Sequence, residues 1–508
     1  MLFTTEIWER YSKKVEENFN LKKYPHFDPY FNFPKEKQKI LSLISYQSGK
    51  KVAQYSFLPL VKILLKTPRF RFQENEKAFG LETKIRPISF ASHFDNYIYG
   101  FYAFAINEKY QEYIRNHEFN PVVLAYRTDL EGKCNIQFAK EVFDIIKTIG
   151  PCTAIALDIK GYFDSIDHKI LKEKWCKILG IKELPIDQYK IFRSLTKYSY
   201  VNKNSILKHF NVNLDKKKRE KEKWVTLLDL IPDKIAGNTF KAKFDLLRSR
   251  KLIVINKQKK EKDTLSWKGI PQGSAMSALL SNIYLIDFDE YIFNLSHKLD
   301  FFYRRYCDDI IIICPTESAD YIKNIVIEDI SKKYKLTIQD KKTEIIDFRA
   351  YKNGGLRSFK RSYDSKTNQF FSLSNDERNC KNLQYLGFEF NGQKTYIRPG
   401  SLSRFFRKLK GRIVKTVMMA YSNKSKSNKI YKQQILHRYS HLGRRNFLTY
   451  ALNASKKYYK NSEGIRKEGM DSPSIKKQVS AHIGIIEKEI KKTSEQRANQ
   501  LKRKQVKI

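Results

Sequence analysis

The stretch RRYCDDIIIIC, residues 304–314, places Asp308 and Asp309 inside one of the most apolar parts of the chain. Aromatic residues at 301–303 precede it, and four isoleucines follow at 310–313. Two neighbouring carboxylates repel each other, and burial adds a desolvation cost. A tight turn is the simple interpretation, because Asp favours turns. A bound divalent cation is the alternative, and deciding between the two requires a third carboxylate.

A third carboxylate follows another apolar segment, in CTAIALDIKGYFDSIDH at 152–168. Residues 153–157 predict a buried strand that ends at Asp158, and loop residues after strands often carry chemistry. If this strand lies beside a hairpin centred on 307–308, Asp158 faces Asp308 and Asp309. Three carboxylates can hold two Mg²⁺ ions about 4 Å apart. Such a pair activates a 3′-hydroxyl and stabilises leaving pyrophosphate in an in-line displacement.

Composition limits the possible partners. The chain has 508 residues, 41% of them hydrophobic, which is enough for a large core, and a net charge of +44. That surplus predicts a polyanionic partner, with nucleic acid before an anionic membrane surface. No apolar run approaches the length of a membrane span, and Glu6 and Glu9 argue against a signal peptide. Six scattered cysteines without Cys-x-x-Cys pairs argue against zinc and disulfides, so we expect a reduced, cytoplasmic protein.

The positive charge is concentrated toward the C-terminus. Residues 401–508 hold 28 Lys and Arg against 6 Asp and Glu, a net of +22. Apolar residues recur there at spacings of three and four, which predicts a helix with one face on a core and one cationic face: Leu402, Phe405, Phe406, Leu409, Ile413 and Val417. A second basic run, DKKKREKEK at 215–223, predicts an exposed loop or helix.

A segment with little side-chain bulk lies between the two acidic segments. WKGIPQGSAMSALLSNIYL begins at Trp267, and its loop around Gly269 and Gly273 would let another backbone or a base pair approach closely. Gln272 adds one amide at the tip, and residues 278–284 predict an apolar helix. Alone, PQGS is typical of an ordinary turn and helix start.

Together, these segments resemble the polymerase motifs of bacterial reverse transcriptases. LDIKGYFDSIDH is similar to motif A, GIPQGSAMSALLSNIYL to motif B and YCDD to motif C. LTIQDKKTEII at 336–346 resembles motif D, and LQYLGFEF at 383–390 resembles the motif E primer grip. KIRPISFASHFDNYIYGFYA resembles the fingers motif that holds the incoming triphosphate. The resemblance covers roughly residues 80 to 395 in the expected order.

The resemblance implies a role for each matching residue. Asp158, Asp308 and Asp309 would be catalytic and, with the Ile159 carbonyl, would bind two Mg²⁺ ions, which Mn²⁺ could replace. The implied nucleotide-binding residues are Lys84, Arg86, Phe163, Gln272 and Lys342. Phe163 would be the steric gate that excludes a 2′-hydroxyl, although a core aromatic is the alternative. Contacts to primer and template would come from Tyr306, Gly273, Tyr385, Leu386, Gly387, Arg404, Arg407 and Lys408.

Two further stretches resemble the abortive-infection and other defence-associated reverse transcriptases. They are AYRTDLEGKCNIQFAKEVF at 125–143 and ILHRYSHLGRRNFLTYALNAS at 435–455. Group II intron enzymes usually carry longer C-terminal regions, and the Val-Thr-Gly signature of retron enzymes does not occur. Gly269 follows Asp158 by 111 residues, a long separation for motifs A and B. The basic insertion near 200–262 would be a surface for RNA or another subunit.

The resemblance implies an α+β right-hand polymerase. We expect fingers and an N-terminal extension at 1–150, a palm of antiparallel sheet and helices at 151–168 and 269–395, a basic insertion at 169–268, and a basic helical thumb and tail at 396–508. The implied function is RNA-directed DNA synthesis in bacterial antiviral defence, with a structured non-coding RNA as template or scaffold and repetitive or homopolymeric DNA as one form of product. Expected partners are RNA, product DNA and deoxynucleoside triphosphates, with homo-oligomers allowed. The alternatives are an intron-type maturase, an RNA polymerase and an inactive RNA-binding scaffold.

Overall fold

The structure is a computed structural model. It describes residues 2–73, 78–130, 132–211, 226–256, 258–259, 265–266, 268–351, 354–364, 369–422 and 429–505. The predicted basic run at 215–223, Trp267 and the last residues, 506–508, lie outside the described residues.

The N-terminal part combines helices with a long two-stranded ribbon. Its elements are α1 (Thr5–Glu17), α2 (Phe33–Ile44), α3 (Lys50–Gln54), β1 (Leu60–Gln73), β2 (Ala78–Phe90), α4 (His93–Arg115) and α5 (Asn135–Ile149). β1 and β2 pair antiparallel from Val61↔Phe90 outward. Helix α4 begins at the N-cap Ser92, whose side chain accepts a hydrogen bond from the Asp95 amide. The ribbon is therefore anchored at its base by a capped helix.

The next part contributes one strand to the middle of the molecule and several elements to the ribbon. They are β3 (Cys152–Asp158), α6 (Tyr162–Ser165), α7 (His168–Leu179), α8 (Ile186–Thr196), β4 (Ser199–Asn202), α9 (Lys203–His209), α10 (Asp233–Ala236), α11 (Phe240–Ser249), β5 (Ile253–Ile255), β6 (Gln258–Lys259) and β7 (Leu265–Ser266). β4 pairs parallel with β1, and β5 pairs antiparallel with β4. The resulting ribbon sheet has the order β2-β1-β4-β5.

A six-stranded sheet, here called the central sheet, lies in the middle of the chain. Between residues 268 and 398 the α-helices and strands are α12 (Ser277–Tyr284), α13 (Ile286–Lys298), β8 (Phe302–Tyr306), β9 (Asp309–Cys314), α14 (Ala319–Lys332), β10 (Glu344–Ala350), β11 (Leu356–Asp364), β12 (Gln369–Ser372), β13 (Leu383–Tyr385), β14 (Phe388–Phe390) and β15 (Thr395–Ile397). The central sheet has the order β12-β11-β10-β3-β9-β8, with every neighbouring pair antiparallel. β13, β14 and β15 form a separate small sheet.

The central sheet is buried on both faces, which explains the unbroken run of isoleucines. Ile310 and Ile312 of β9 belong to one hydrophobic core, shared with α4, α7 and α12. Ile311 and Ile313 point to the other core, shared with α5 and the β13–β15 sheet. Successive side chains of a strand point to opposite faces, so a strand between two cores requires apolar residues at every position.

The C-terminal part is mainly helical. It contains α15 (Pro399–Ala420), α16 (Lys432–Tyr439), α17 (Phe447–Ser455), β16 (Tyr458–Lys460), β17 (Arg466–Glu468), α18 (Pro473–Ser480) and α19 (His482–Gln505). The predicted apolar stripe lies on α15, where Leu409 and Ile413 share a core with Ile486 and Ile490 of α19. Within the described ranges, no helix has the length and apolar character needed to cross a membrane.

Candidate active site

The turn between β8 and β9 carries Asp308. Tyr306 pairs with Asp309 across the hairpin, so Cys307 and Asp308 form a two-residue loop. Cys307 has a φ of 57°, as expected for such loops, whose left-handed residues match the twist of the strands. Asp308 therefore lies in a tight turn while Asp309 begins a buried strand. The turn interpretation and the metal-site interpretation of this stretch are compatible.

A buried ion pair fixes the orientation of this turn. Arg305 and Asp289 are both 0% exposed, and Arg305 Nε and Nη2 donate to the two carboxylate oxygens of Asp289 at 2.7 and 2.5 Å. Arg305 Nη1 also donates to the Cys307 carbonyl at 3.1 Å. A buried guanidinium is stable only when it is paired, and its planar fork fixes the geometry of its partners. Sequence reasoning missed both residues, although charged side chains inside two apolar elements were the available signal.

Asp158 lies directly beside this turn. It is the last residue of β3 and pairs with Asp309 in the antiparallel register of β3 and β9. The Ile159 amide donates to the Asp308 carbonyl at 3.1 Å, and the Asp158 carbonyl accepts from the Gln339 amide at 2.8 Å. Directly opposed residues of an antiparallel pair have Cβ atoms about 5 Å apart. The fold therefore brings Asp158, Asp308 and Asp309 to one edge of the central sheet.

The electrostatics of the three carboxylates are unusual. Burial and the neighbouring Asp308 and Asp158 raise the pKa of Asp309 to about 7, while Lys342 and Arg398 lower it. Ionising all three groups together is unfavourable without a counter-charge. This arrangement attracts cations.

The donor chemistry of the site fits a hard divalent cation. Carboxylate and carbonyl oxygens are the ligands that Mg²⁺ prefers. Over the described ranges, however, no three His, Cys, Asp or Glu side chains are already gathered closely enough to hold a metal ion. Instead, Lys342 Nζ lies 2.5 Å from Asp158 Oδ1. The predicted Lys342 therefore reaches the site, and the side chain of the adjacent Lys341 lies outside the described atoms.

The ribbon contributes two cationic side chains, those of Lys84 and Arg86 on β2. Lys84 and Arg86 are two residues apart on β2, so their side chains point to the same face of the ribbon. Burial, followed by the nearby Arg86, Arg69 and Lys342, lowers the pKa of Lys84, whereas Asp158 raises it. Lys84 thus lies within electrostatic reach of Asp158.

The loop before α12 braces the segment after Asp158. The Gly269 amide donates to the Ile166 carbonyl at 2.8 Å, and the Ile270 amide donates to the Phe163 carbonyl at 2.9 Å. Gly269 has a φ of +84°, and a Cβ there would lie 2.9 Å from the Asp164 carbonyl oxygen. The sequence predicted that another backbone or a base pair could approach this loop closely. At Gly269, the backbone of the segment after Asp158 makes that approach.

The tip of the same loop packs against the ribbon. The Ser89 amide donates to the Gln272 carbonyl at 2.8 Å. Gly273 has a φ of +114°, and a Cβ there would lie 2.8 Å from the Ser89 carbonyl oxygen and 2.9 Å from Ile88 Cγ2. Gln272 remains half-buried and Gly273 exposed. The loop thus connects the ribbon to the central sheet.

Phe163 lies on α6, five residues after Asp158. Its ring is half-buried and packs against the larger hydrophobic core. The neighbouring Tyr162 is buried and donates its hydroxyl to the Ser281 carbonyl. Phe163 therefore has one side on the core and one accessible side, which is compatible with both interpretations of this residue.

The motif E segment forms a tight turn between β13 and β14. Tyr385 is buried beneath this turn, close enough for Asp309 to affect its pKa, which burial raises. Leu386 and Gly387 have positive φ angles of 43° and 93° and remain partly exposed. Asn135 Nδ2 donates to the Leu386 carbonyl at 2.9 Å and to the Tyr450 hydroxyl at 2.8 Å. Sequence reasoning missed Asn135, which ties α5 and α17 to this turn.

The basic residues of α15 lie on its solvent side. Arg404, Arg407 and Lys408 are exposed, whereas Phe405 and Leu409 are buried. Arg404 Nε donates to the Gly400 carbonyl at 3.0 Å. The predicted division of this helix into an apolar and a cationic face is confirmed.

Comparison with known families identifies the class of domain. Residues 187–390 match the family model described as reverse transcriptase (RNA-dependent DNA polymerase). The match includes Gly269, Asp308 and Asp309 and begins after Asp158. No curated protein matches the chain.

Several solved structures are similar in part. Telomerase from Candida albicans in complex with a TWJ fragment of telomeric RNA is 13% identical, with a TM-score of 0.33, and the match covers 77% of this chain and 55% of that one. Apo telomerase from Candida tropicalis is 12% identical, with a TM-score of 0.33, covering 79% of this chain and 61% of that one. Its form truncated from the C-terminal domain is 12% identical, with a TM-score of 0.30, covering 68% and 61%. The chain spans less than two thirds of each telomerase chain.

The chain therefore contains a reverse transcriptase domain. The predicted fold class, an α+β right-hand polymerase with an antiparallel sheet and helices, is confirmed.

Proposed function

We propose that this protein is an RNA-directed DNA polymerase whose catalytic residues are Asp158, Asp308 and Asp309. The observation that carries the proposal is the register of β3 and β9, which sets Asp158 opposite Asp309 beside the Asp308 turn. The shared negative charge, seen in the raised pKa of Asp309, supports a cation-dependent reaction.

The reaction is a nucleotidyl transfer. The primer 3′-hydroxyl oxygen forms a bond to the α-phosphorus of a deoxynucleoside triphosphate, the bond from that phosphorus to the bridging oxygen breaks, and pyrophosphate leaves while the hydroxyl proton passes to a base. Asp158, Asp308, Asp309 and the Ile159 carbonyl would hold two Mg²⁺ ions, with Mn²⁺ as a substitute. When bound, such ions lower the pKa of the hydroxyl and compensate the charge of the phosphates.

The cations of the ribbon and Lys342 would hold the triphosphate. Lys84 and Arg86 present one cationic face of β2 near the carboxylates, and guanidinium groups bind phosphates through paired hydrogen bonds. Lys342 would leave Asp158 for pyrophosphate once metal ions supply the counter-charge. Phe163 would lie under the sugar and exclude a 2′-hydroxyl, with Gln272 beside the nucleotide.

The elements take the expected parts of a right hand. The ribbon and N-terminal helices, residues 1–150, would form the fingers, and the central sheet with β13–β15 the palm. The insertion at 169–268 would belong mainly to the fingers, because β4 pairs with β1. Helices within 396–508 would form the thumb. Its exposed Arg404, Arg407 and Lys408 would grip duplex backbone, while Tyr306, Gly273 and the Tyr385–Gly387 turn would position primer and template.

The net charge of +44 supports a stably bound RNA as the partner. Such an RNA, structured and non-coding, would serve as template or scaffold, and the product would include repetitive or homopolymeric DNA. The sequence resemblance at 125–143 and 435–455 supports a role in bacterial antiviral defence in the cytoplasm, with homo-oligomers allowed.

The test uses protein purified with the RNA it retains. With Mg²⁺, the wild type should incorporate labelled deoxynucleotides in preference to ribonucleotides, whereas Asp308→Asn should make no product. Asp245→Asn, at an exposed position of α11, is the matched control and should retain activity. Sequencing the product beside the retained RNA would distinguish templated copying from homopolymer synthesis.

Two results would contradict the proposal. Equal activity of the wild type and Asp308→Asn would place the chemistry elsewhere. Inactivity of both on the retained RNA and on a supplied primer–template would favour an RNA-binding scaffold.

A further inference from the structure

Tyr126 has an unusual backbone for a bulky residue. Its φ is 59°, in the left-handed region that large side chains rarely adopt, and it is 47% exposed. A strained conformation persists only where the surroundings impose it, and such residues are concentrated at functional sites. The neighbouring contacts therefore show what holds this residue in place.

The segment before Tyr126 is bound to the catalytic hairpin. Val123 forms an isolated parallel bridge with Arg305, and the Leu124 amide donates to the Arg305 carbonyl at 2.9 Å. The Ala125 carbonyl accepts from Asn282 Nδ2 of α12 at 2.8 Å. These bonds leave little freedom on the N-terminal side of Tyr126.

The segment after Tyr126 is equally constrained. Arg127 Nε donates to Asp129 Oδ1 at 2.9 Å, and its Nη2 donates to Asp129 Oδ2. Arg127 Nη1 donates to the Asn120 carbonyl at 2.7 Å. The strain at Tyr126 is thus imposed by well-bonded neighbours on both sides.

These constraints place the tyrosine beside the Asp308 turn. Leu124 is bonded to Arg305, two residues before Cys307, so Tyr126 lies beside the hairpin that carries Asp308. Burial raises the pKa of the Tyr126 hydroxyl, and the neighbouring Cys307 and Asp308 raise it further. Cys307 itself has a φ of 57°, so two left-handed residues meet at this point. Tyr126 is 47% exposed, so part of this side chain is accessible to a ligand beside the hairpin that carries Asp308.

We propose that Tyr126 contacts the terminal nucleotide of the primer. Its ring would lie against the base and sugar of the nucleotide that carries the reacting 3′-hydroxyl. This inference rests on the proposed polymerase function. Aromatic rings stack on any base, so the contact would be independent of sequence. Because the backbone just before Tyr126, at Val123 and Leu124, is bonded to the hairpin that carries Asp308, Tyr126 would hold the primer end at a fixed distance from that carboxylate.

Steady-state kinetics on a supplied RNA template and DNA primer test this contact. Tyr126→Ala should raise the primer–template concentration at half-maximal rate about tenfold, the range expected for one lost base–aromatic contact. The KM for the deoxynucleotide should stay unchanged. Tyr126→Phe retains the ring and should resemble the wild type. Tyr321→Ala, which removes a 61% exposed tyrosine of α14, is the matched control.

A binding measurement separates this inference from the proposed function. With 2-aminopurine as the 3′-terminal primer base, stacking should quench fluorescence on the wild type and Tyr126→Phe but not on Tyr126→Ala. This readout needs no catalysis, so it tests the contact even if no polymerisation is found. Equal quenching on Tyr126→Ala, or Tyr126-dependent quenching only of a base placed in the template strand, would overturn the inference. A drop in thermal stability of Tyr126→Ala with unchanged primer KM would do the same.

Discussion

Single residues of the site are constrained by backbone conformation as much as by side-chain chemistry. Gly273 is the sharpest case: it combines a φ of +114° with the close approach of the Ser89 carbonyl and Ile88. Any side chain would both strain this backbone and push the loop away from β2. The position of Gln272, whose carbonyl accepts from the Ser89 amide, depends on that contact.

Gly273→Ala should therefore weaken nucleotide binding. We expect a several-fold increase in the deoxynucleotide KM, because displacement of the loop moves Gln272 relative to the ribbon. Gly150→Ala is the control, since Gly150 also has a positive φ, of +86°, but a Cβ there would meet nothing within 4 Å. Steady-state kinetics of both variants separate loop displacement from backbone strain. An unchanged KM for Gly273→Ala would contradict this role of the loop.

The carboxylates themselves could be predicted from single-residue patterns. An acidic residue at the end of an apolar strand is conspicuous because burial of charge is costly, and both Asp158 and Asp308–Asp309 stood out in this way. Arg305 and Asp289 were missed because they lie 16 residues apart on two different elements, β8 and α13, and nothing in the sequence pairs them. Only the packing of α13 under β8 reveals that pair.

At the scale of elements, hydrophobic patterns predicted the elements with simple surroundings: a strand buried on both faces, or a helix with one buried and one exposed face. The strand at 153–157 and the helix of the 402–417 stripe correspond to β3 and α15. The contact of Asn135 with Leu386 joins residues 251 positions apart. Local patterns carry no information on such a contact, so its role could be found only in the folded chain.

Loss of the Asn135 side chain should loosen the turn between β13 and β14. Asn135→Ala removes the donor to Leu386, whose carbonyl belongs to a left-handed residue, and we expect a loss of about 1–2 kcal/mol in the free energy of unfolding. The primer–template KM should rise several-fold. Tyr450→Phe removes only the hydroxyl partner of Asn135 and should have a smaller effect on both quantities. Equal primer–template KM values for Asn135→Ala and the wild type would contradict this account.

His26, in the segment that packs against the base of the ribbon, should make the stability of the protein depend on pH. His26 Nδ1 accepts from the Phe27 amide at 2.8 Å, and Nε2 lies 3.2 Å from the Phe90 carbonyl, so the neutral ring has Nε2 as its donor. Burial lowers the pKa of His26 from 6.5 to about 4, while the nearby Asp28 raises it. Between these values the unfolded chain binds a proton that the folded chain does not.

His26 should therefore destabilise the protein as the pH falls from 6.5 toward 4, by up to about 3 kcal/mol. His26→Asn keeps an acceptor for the Phe27 amide but cannot be protonated, so its thermal midpoint should change less over this range. His437→Asn, at an exposed position of α16, should keep the wild-type pH dependence. Thermal denaturation at several pH values measures the difference, and identical slopes for wild type and His26→Asn would exclude His26 as the cause.

At the scale of the whole molecule, charge dominates. The net +44 is a property of composition and could be predicted directly, but its distribution over surfaces could not. The cationic residues of α15 point to solvent, and Lys84 lies near Asp158. Long-range contacts decide which charges are free for a nucleic acid and which are paired within the protein.

Neutralising the exposed face of α15 should reduce the salt dependence of RNA binding. Replacing Arg404, Arg407 and Lys408 with Gln should lower the slope of log K against log salt concentration by about 3, the value for three phosphate contacts to a duplex. The control replaces Lys35, Lys37 and Lys39 of α2, where Lys37 and Lys39 pair with Glu16 and Glu36 at 2.8 and 2.7 Å. Fluorescence anisotropy over a salt series measures both slopes. Equal slopes for the α15 variant and the wild type would contradict the proposed thumb surface.

The central claim is that the pairing of β3 with β9 completes a catalytic site. Asp158 tests it most directly, because this residue lies outside the segment that matches the reverse transcriptase family and enters the site through strand register. The measurement is the addition of one deoxynucleotide to a defined DNA primer on an RNA template, with Mg²⁺, by the wild type and by Asp158→Asn. We predict addition by the wild type and none by Asp158→Asn, with equal binding of the primer–template. Normal addition by Asp158→Asn would contradict the account.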